Sequence, residues 1–544
     1  MTLLSEASFL VTPNGYKASK LYAAIPTNGN GDMTVTRATA ATRVDENGLV
    51  NYALGVEEVT NGDFSNGSTD WTPFSSTFVV SNANPYNGND TALFTALGVN
   101  GAKVTQSITT VIGNTYHLSC YAQYNSGDNT YIEIEGVLEY PNGLEVSNSI
   151  NTWTYLETSF TATSTTSVVA IRERGGNNNA SCYLYGLSVK EVNNIPRIDY
   201  TGGGCPSILL EPQRTNLLLR SQEFDNASWA KLNTTISANV EISPDGTLSA
   251  YSITDNAVNN EHKIEQIITS TTLTHSIFVK PNSGRYVQLV GVGTSWYQNF
   301  DVIDGIIESG NALNANIENY GNGWYRISAY KGGANPKLQF NLITSANSPR
   351  VEQYIGDGTN SFYIWGAQVE AGAYPTSYIP TGASTVTRLV DSCHLLNHSL
   401  FTDYPFTVYA NAEVDAVGNT IFSLNNTSSP TYYLSFNFAN SIQVGLARRD
   451  LSNNDSDFYN FSYSAGDTIK VAVAFISPTA YKLYINGTEI ANVTSGTSIP
   501  FNHNDISLGQ FRITSDTGAR NSINEFMVFN EVLSDSKLQT LTTL

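Results

Sequence analysis

Positive charge is scarce in this chain: 27 Lys and Arg stand against 47 Asp and Glu in 544 residues, a formal net charge of −20 at pH 7. A surface of that sign repels a phosphate backbone, and no Lys/Arg cluster overrides it, so nucleic acid is not an expected partner. Long apolar runs are missing as well, and none reaches the length of a bilayer span, so no membrane insertion is expected. The opening MTLLSEASFLVTPNGYK has neither the basic start nor the clean apolar core of a secretory signal. Cysteine is rare. Cys120, Cys182, Cys205 and Cys393 show no CxxC spacing, which removes a cysteine-based metal cluster. Cys120 and Cys182 fall on expected strands and read as small buried hydrophobes rather than as a disulfide.

Catalytic motifs are also lacking. The six histidines form no HExxH, and no Ser or Cys sits in a GxSxG elbow. Glycoside hydrolysis needs two carboxylates facing one cleft, and nothing singles out a pair among the acids. EIEGVLE (133–139) alternates acids along a strand, which a solvent-facing edge explains. No catalytic residue is expected, and the chain reads as a non-enzyme.

What is abundant is Asn, Ser, Thr, Gly and Tyr, with period-two alternation in TYIEIEGVLEY (130–140), FTVYANAEV (406–414) and YKLYINGTEIANV (481–493). Aromatic and β-branched residues between Gly and Asn turns favour half-buried antiparallel strands. The expected class is all-β, and the length requires several domains.

An internal repeat organises the middle of the chain. NGDFSNGSTDW (61–71) answers to SQEFDNASW (221–229), SCYAQ (119–123) to SIFVK (276–280), NTWTYLETSF (151–160) to NGWYRISAY (322–330), and YLYGLSVKE (183–191) to YIWGAQVEA (363–371). Four matches in the same order indicate a duplicated module, spanning 56–192 and 217–381. Each copy resembles a jelly-roll β-sandwich of the carbohydrate-binding or galactose-binding type. Trp71 and Trp229 share a repeat position, as do Trp153 and Trp324, and Tyr185 matches Trp365, so packing is the simpler reading of these rings.

Trp296 has no counterpart. It stands beside Tyr297 in VGVGTSWYQNF, between strands, where an exposed aromatic pair could stack on a sugar ring. Arg172 and Arg174 precede a Gly-Asn run and are candidate bidentate donors to an acidic sugar, against a solvated strand end. The sandwich resemblance implies a structural calcium near Asp63 and Glu191, with Glu223 and Glu370 nearby in the second copy; the liganding carbonyls are not legible. No other cofactor is expected.

Residues 401–544 resemble a concanavalin A-like (laminin G-like) sandwich through FTVYANAEVD, YYLSFNF, YKLYINGTEIA and the ending NEFMVFNEVLSDSKLQTL. In that ending Ser534 is placed to cap a short helix, with Leu533 stapled to Leu538. The Pro, Gly and Ser of SYIPTGASTVTRLVDS (377–392) mark a linker or a return strand, and 382–400 is assigned as the linker.

The opening, with ATRV…GLV, and the run PRIDYTGGGCPSILLEPQRTNLLLR (196–220) resemble a family of tailed-phage virion proteins in which the two pieces are nearly adjacent. Here the first module lies between them, which makes it an insertion into a base formed by 1–55 and the return strands 193–216. The resemblance implies a structural component of a bacteriophage virion: a tail fibre, appendage or surface decoration. Its partners would be capsid or tail proteins reached through the N-terminal region, with adhesion to host glycans by the modules and a homotrimer as the expected assembly. A polysaccharide-degrading tailspike and a secreted bacterial adhesin are the alternatives.

Overall fold

The structure, a computed structural model, describes residues 3–98, 101–174, 179–268, 273–291, 296–332, 337–414, 420–426, 433–440, 442–449, 454–464, 466–498, 501, 503–510 and 520–544. The chain divides into two compact units, one of Ala38–Ala40 with Leu54–Ile195, the other of Met1–Arg37, Ala41–Ala53 and Pro196–Leu544. Among the described residues the elements are strands, apart from a 3-10 turn at Leu3–Glu6 and a helix at Asp535–Thr542. The fold is all-β, as the alternation predicts.

Module 1 is a sandwich of two five-stranded antiparallel sheets. One sheet runs in the order Thr154–Thr161, Thr115–Ser126, Ser181–Glu191, Asn89–Ala96, Ser76–Tyr86; the other runs Leu144–Val146, Thr130–Ile134, Thr166–Glu173, Lys103–Thr109, Thr72–Phe74. Period two decides what is buried. In the strand Thr115–Ser126, Leu118, Cys120 and Ala122 are buried in the core, while Tyr121 and Gln123 are half-buried on the other face. Trp71 packs between Phe64 and Phe78 with ring centroids 6.1 and 5.9 Å away, and its indole N–H donates to the Asn61 carbonyl at 3.2 Å.

Module 2 repeats this plan with two six-stranded sheets. The first runs Ala230–Leu232, His262–Ile267, Lys337–Ile343, Tyr286–Val290, Tyr297–Asp301, Ile306–Gly310; the second runs Thr234–Ile242, Leu248–Asp255, Ser361–Ala371, Leu273–Pro281, Tyr325–Tyr330, Asn314–Asn319. Trp229 takes the place of Trp71, 5.0 Å from Phe224 and donating to the Arg220 carbonyl at 3.0 Å. The copies even share a bulge. Pairing breaks between Ser119 and Tyr121 in one and between Ser276 and Phe278 in the other, opposite Gly186 (φ 62°) and Gly366 (φ 57°). A left-handed φ favours glycine, which gives YLYG and YIWG a common backbone reason.

The C-terminal domain is part of a 16-stranded sheet system that also takes in the N-terminal strands. Phe9–Lys17 pairs with Asn521–Phe529, placing Phe9 opposite Val528, and Met33–Thr36 pairs with Ser392–Leu395, which pairs in turn with Asp505–Leu508. Phe9, Val11, Leu21, Met33 and Val35 are buried in the same core as the lectin-like strands. Residues 382–400, expected as a linker, therefore carry two structural strands: Val386–Arg388 pairs with Arg214–Asn216, and Ser392–Leu395 closes the sheet. Gly382 and Ser384 stand only in the bend before the first of them. Ser534 caps the helix by accepting from the Lys537 N–H at 3.4 Å, and Leu533 and Leu538 are both buried beneath it.

The PRIDY…LLEPQR run is also structural. Ile198–Asp199 pairs with Ser207–Leu210, which pairs with Asn521–Phe529, and the turn between them holds Gly202, Gly203 and Gly204 at positive φ. Arg197 lies in a buried ionic knot. Its Nη1 is 2.6 Å from Glu211 Oε2 and its Nη2 pairs with Asp391; Arg388 Nη1 is 2.7 Å from Glu211, and Arg37 Nη1 is 2.6 Å from Asp391. All five side chains are essentially inaccessible. Burial would raise the Glu211 carboxyl, but Arg388, Arg197 and Arg520 around it hold it well below the usual carboxylate range. Asp391 is lowered too, burial being outweighed by Arg197, Arg37 and Arg388.

Candidate functional site

Trp296 is not half of an exposed pair. It is 0 % exposed in the module 2 core, 5.3 Å from the His275 ring, while Tyr297 is half-buried at the start of a strand. The reason lies in Gly291: a Cβ there would fall 1.9 Å from Trp296 Nε1, so the indole lies against bare backbone. The two residues make no common platform.

Arg172 and Arg174 meet carboxylates rather than open space. Arg174 Nε and Nη2 donate to Glu133 at 2.9 and 2.5 Å, and Arg172 pairs with Glu135 and lies 3.8 Å from Glu133, whose side chain is fully buried. Glu133 on the neighbouring strand and Glu135 just past its end, both in EIEGVLE, are thus the partners of these arginines. Residues 175–178 of the Gly-Asn run lie outside the described residues. Asp63 caps its own turn by accepting from the Ser65 N–H at 3.1 Å, and Glu191 accepts from Asn114 at 2.7 Å. Among the described residues no group of three or more His, Cys, Asp or Glu gathers to hold a metal ion.

The structure instead brings together six rings on the outer face of the first sheet of module 1. Tyr155, Tyr121 and Tyr185 lie side by side on three adjacent strands: Tyr121 pairs in register with both Tyr155 and Tyr185. The long hairpin Ser76–Tyr86 to Asn89–Ala96 folds its tip over them. Tyr86 stacks on Tyr121 at 4.4 Å and sits 5.1 Å from Tyr185 and 5.3 Å from Trp153, while Tyr155 is 5.1 Å from Tyr121 and Tyr183 is 6.5 Å from Trp153. Five of the rings are half-buried and Tyr155 is 36 % exposed. Gly186 lies beneath Tyr121, where a Cβ would be 3.9 Å from the ring.

Polar groups border the rings. Asn84 donates to Gln123 at 2.7 Å, Gln123 donates to the Asn151 carbonyl at 2.8 Å, and Trp153 Nε1 is a buried donor that no described residue uses. Burial first, and then Tyr121, push the Tyr86 hydroxyl well above its ordinary pKa; burial and Glu157 do the same to Tyr155. Both phenols are therefore neutral hydroxyl donors and acceptors at physiological pH. A half-open ring surface with flanking amides and phenols can stack on an apolar ring face and bond its hydroxyls.

Repetition hid this face. Trp153 and Tyr185 match Trp324 and Trp365, but the latter pair is closed in, at 2 % and 1 % exposure, in a cluster with Phe278, Tyr378 and Val50. The same positions are packing in one copy and half-open in the other.

Module 1 matches a known family. Residues 56–178 match the family described as Carbohydrate binding domain, and residues 390–539 match the Concanavalin A-like lectin/glucanases superfamily. The matched domains are a carbohydrate-binding one and a concanavalin A-like one. The chain is similar to the Ruminococcus gnavus IT-sialidase CBM40 bound to alpha2,3 sialyllactose, at 18 % identity over 26 % of this chain and 84 % of that one, TM-score 0.24. It is similar to the CBM22-1-CBM22-2 tandem of Paenibacillus barcinonensis Xyn10C, at 14 % identity over 59 % and 98 %, TM-score 0.21. Domain 4 of AbnA, a GH43 extracellular arabinanase from Geobacillus stearothermophilus, is similar at 16 % identity over 32 % and 84 %, TM-score 0.24. No curated protein matches the chain.

Proposed function

We propose that the chain is a non-enzymatic adhesive and structural component of a tailed-bacteriophage virion, and that module 1 binds glycan on its aromatic face. The observation that carries the adhesive half is the half-open cluster of Tyr86, Tyr121, Trp153, Tyr155, Tyr183 and Tyr185, bordered by amides. The carbohydrate binding domain match over the same module supports it. The virion half is supported by the resemblance of the 1–50 and 196–220 runs to phage structural proteins, with capsid or tail proteins as partners.

Affinity electrophoresis of the full chain through gels containing soluble polysaccharides, including host capsule, tests the adhesive half. At least one polysaccharide should retard the wild type, and Tyr121→Ala with Tyr185→Ala should release it. Each ring contact contributes about 0.5–1.5 kcal/mol, so the pair lowers affinity by roughly one to two orders of magnitude. Retardation that survives the double substitution overturns the site, and reducing ends released from those polysaccharides overturn the non-enzymatic reading. Labelled antibody on intact particles checks the location.

A further inference from the structure

We infer that module 2 is a self-occupied copy of the module 1 face: the chain's own segment 374–381 fills its ring platform, and Arg326, Gln368 and Glu370 hold it shut. For its ligand class, a sugar ring stacked on aromatic side chains, the inference rests on the glycan reading of module 1. It leaves one of the two repeated faces open to that ligand.

The register fixes the equivalence. Phe278 pairs with Arg326 and Trp365 as Tyr121 pairs with Tyr155 and Tyr185. Over this platform lies Tyr378, 2 % exposed, with its ring 4.8 Å from Trp365 and 6.0 Å from Phe278. Tyr378 thus closes, edge-on to Phe278 and tilted against Trp365, over the two rings whose module 1 counterparts, Tyr121 and Tyr185, are covered by Tyr86 alone and stay half-buried. Its hydroxyl bonds Ser221 at 2.7 Å, and its carbonyl accepts from Thr42 Oγ1 at 2.5 Å, tying it to the hairpin that carries Val50 into the same cluster.

Three side chains anchor the segment, and all three differ in module 1. Arg326 Nη1 donates to the Thr376 carbonyl at 2.7 Å, with its guanidinium 5.3 Å over the Phe278 ring. Gln368 accepts from the Ile379 N–H at 2.6 Å, and Glu370 accepts from the Thr376 N–H and hydroxyl at 2.8 and 2.6 Å. The repeat places Tyr155, Ser188 and Lys190 at these positions. Tyr155 lies among the rings, the Ser188 hydroxyl donates to Glu57 at 2.6 Å, and Lys190 Nζ is 3.7 Å from Glu57. Buried hydrogen bonds to charged groups are the strong ones, so exchanging this trio decides whether the face is covered.

Hydroxyl-radical footprinting of the full chain without any glycan tests this. In the wild type Tyr155 and Tyr185 should be labelled while Phe278, Trp365 and Tyr378 stay protected. Arg326→Ala should raise labelling of those three several-fold, leave Trp229 in the same module's core protected, and be rescued in part by Arg326→Lys. If Arg326→Ala unfolds the module, Trp229 reports it, and Tyr378→Ala then serves: Trp365 should gain label with Trp229 still protected. Wild-type labelling of Trp365 and Tyr378 equal to that of Tyr155, or no gain in a folded variant, overturns the inference. Failure of glycan binding itself appears only in the electrophoresis above, so the two readings fail separately.

Discussion

Replacing Glu211 by Gln keeps the side-chain volume and an acceptor for the Ser377 N–H, which now bonds Glu211 at 2.8 Å, and removes only the charge. Arg37 and Arg197 then keep Asp391 in direct contact, while Arg197 and Arg388 lose the carboxylate that now meets them at 2.6 and 2.7 Å. Removing one partner of a buried ion pair costs about 3–5 kcal/mol. Because the chain holds several domains, one global unfolding energy is not defined, and a local probe is needed. The Leu209 N–H, bonded to the Arg197 carbonyl at 2.9 Å, is such a probe. Its hydrogen-exchange protection should fall by roughly two orders of magnitude or more, while the module 1 strand Thr115–Ser126 keeps its own. A loss below about tenfold would refute the reasoning, since an exposed pair contributes only about 0–1 kcal/mol.

The pH dependence has a definite sign. Glu211 and Asp391 both have folded pKa values below their ordinary 4.5 and 3.8. Their stabilisation is therefore fully present above those values and is lost as pH falls through the folded ones. Wild type and Glu211→Gln should differ most at neutral pH and converge in strong acid.

Two further outcomes follow from burial. Trp296→Ala should destabilise module 2 by about 3–5 kcal/mol, read by local hydrogen exchange, and leave polysaccharide retardation unchanged; lost retardation in a folded variant would return Trp296 to the binding face. At pH 8 a thiol reagent should titrate one cysteine, the exposed Cys205, in the native protein and all four in denaturant. Burial raises Cys120 and Cys393 strongly and pushes Cys182 up to about 12, so a native count of two or more would contradict their packing.

Much of the architecture is local enough to read in the chain. Trp71 and Trp229 keep one packing role because each anchors within its own N-terminal loop, to Asn61 and Arg220. Gly186 and Gly366 repeat because one bulge needs a positive φ twice. The Ser534 cap and the Leu533–Leu538 staple are likewise local. Arg172 and Arg174 are not legible as paired because their partners, Glu133 and Glu135, lie on and just past a strand some way back along the chain. Trp296 reads as exposed from the sequence because it follows a glycine-containing stretch between strands, whereas the indole packs against Gly291.

The amino-acid sequence by itself determined the strands, their alternation, the duplication and the paired aromatic positions, since each depends on neighbours a few residues away. Only the tertiary structure decided which copy of the aromatic face is covered. That outcome depends on the Val50 hairpin reaching Trp365 from the far N-terminal part of the chain, on Tyr378 folding back over the same ring, and on Arg326 standing where module 1 has Tyr155. Identical local patterns can be core or surface, because burial belongs to whatever the rest of the chain lays on top of them.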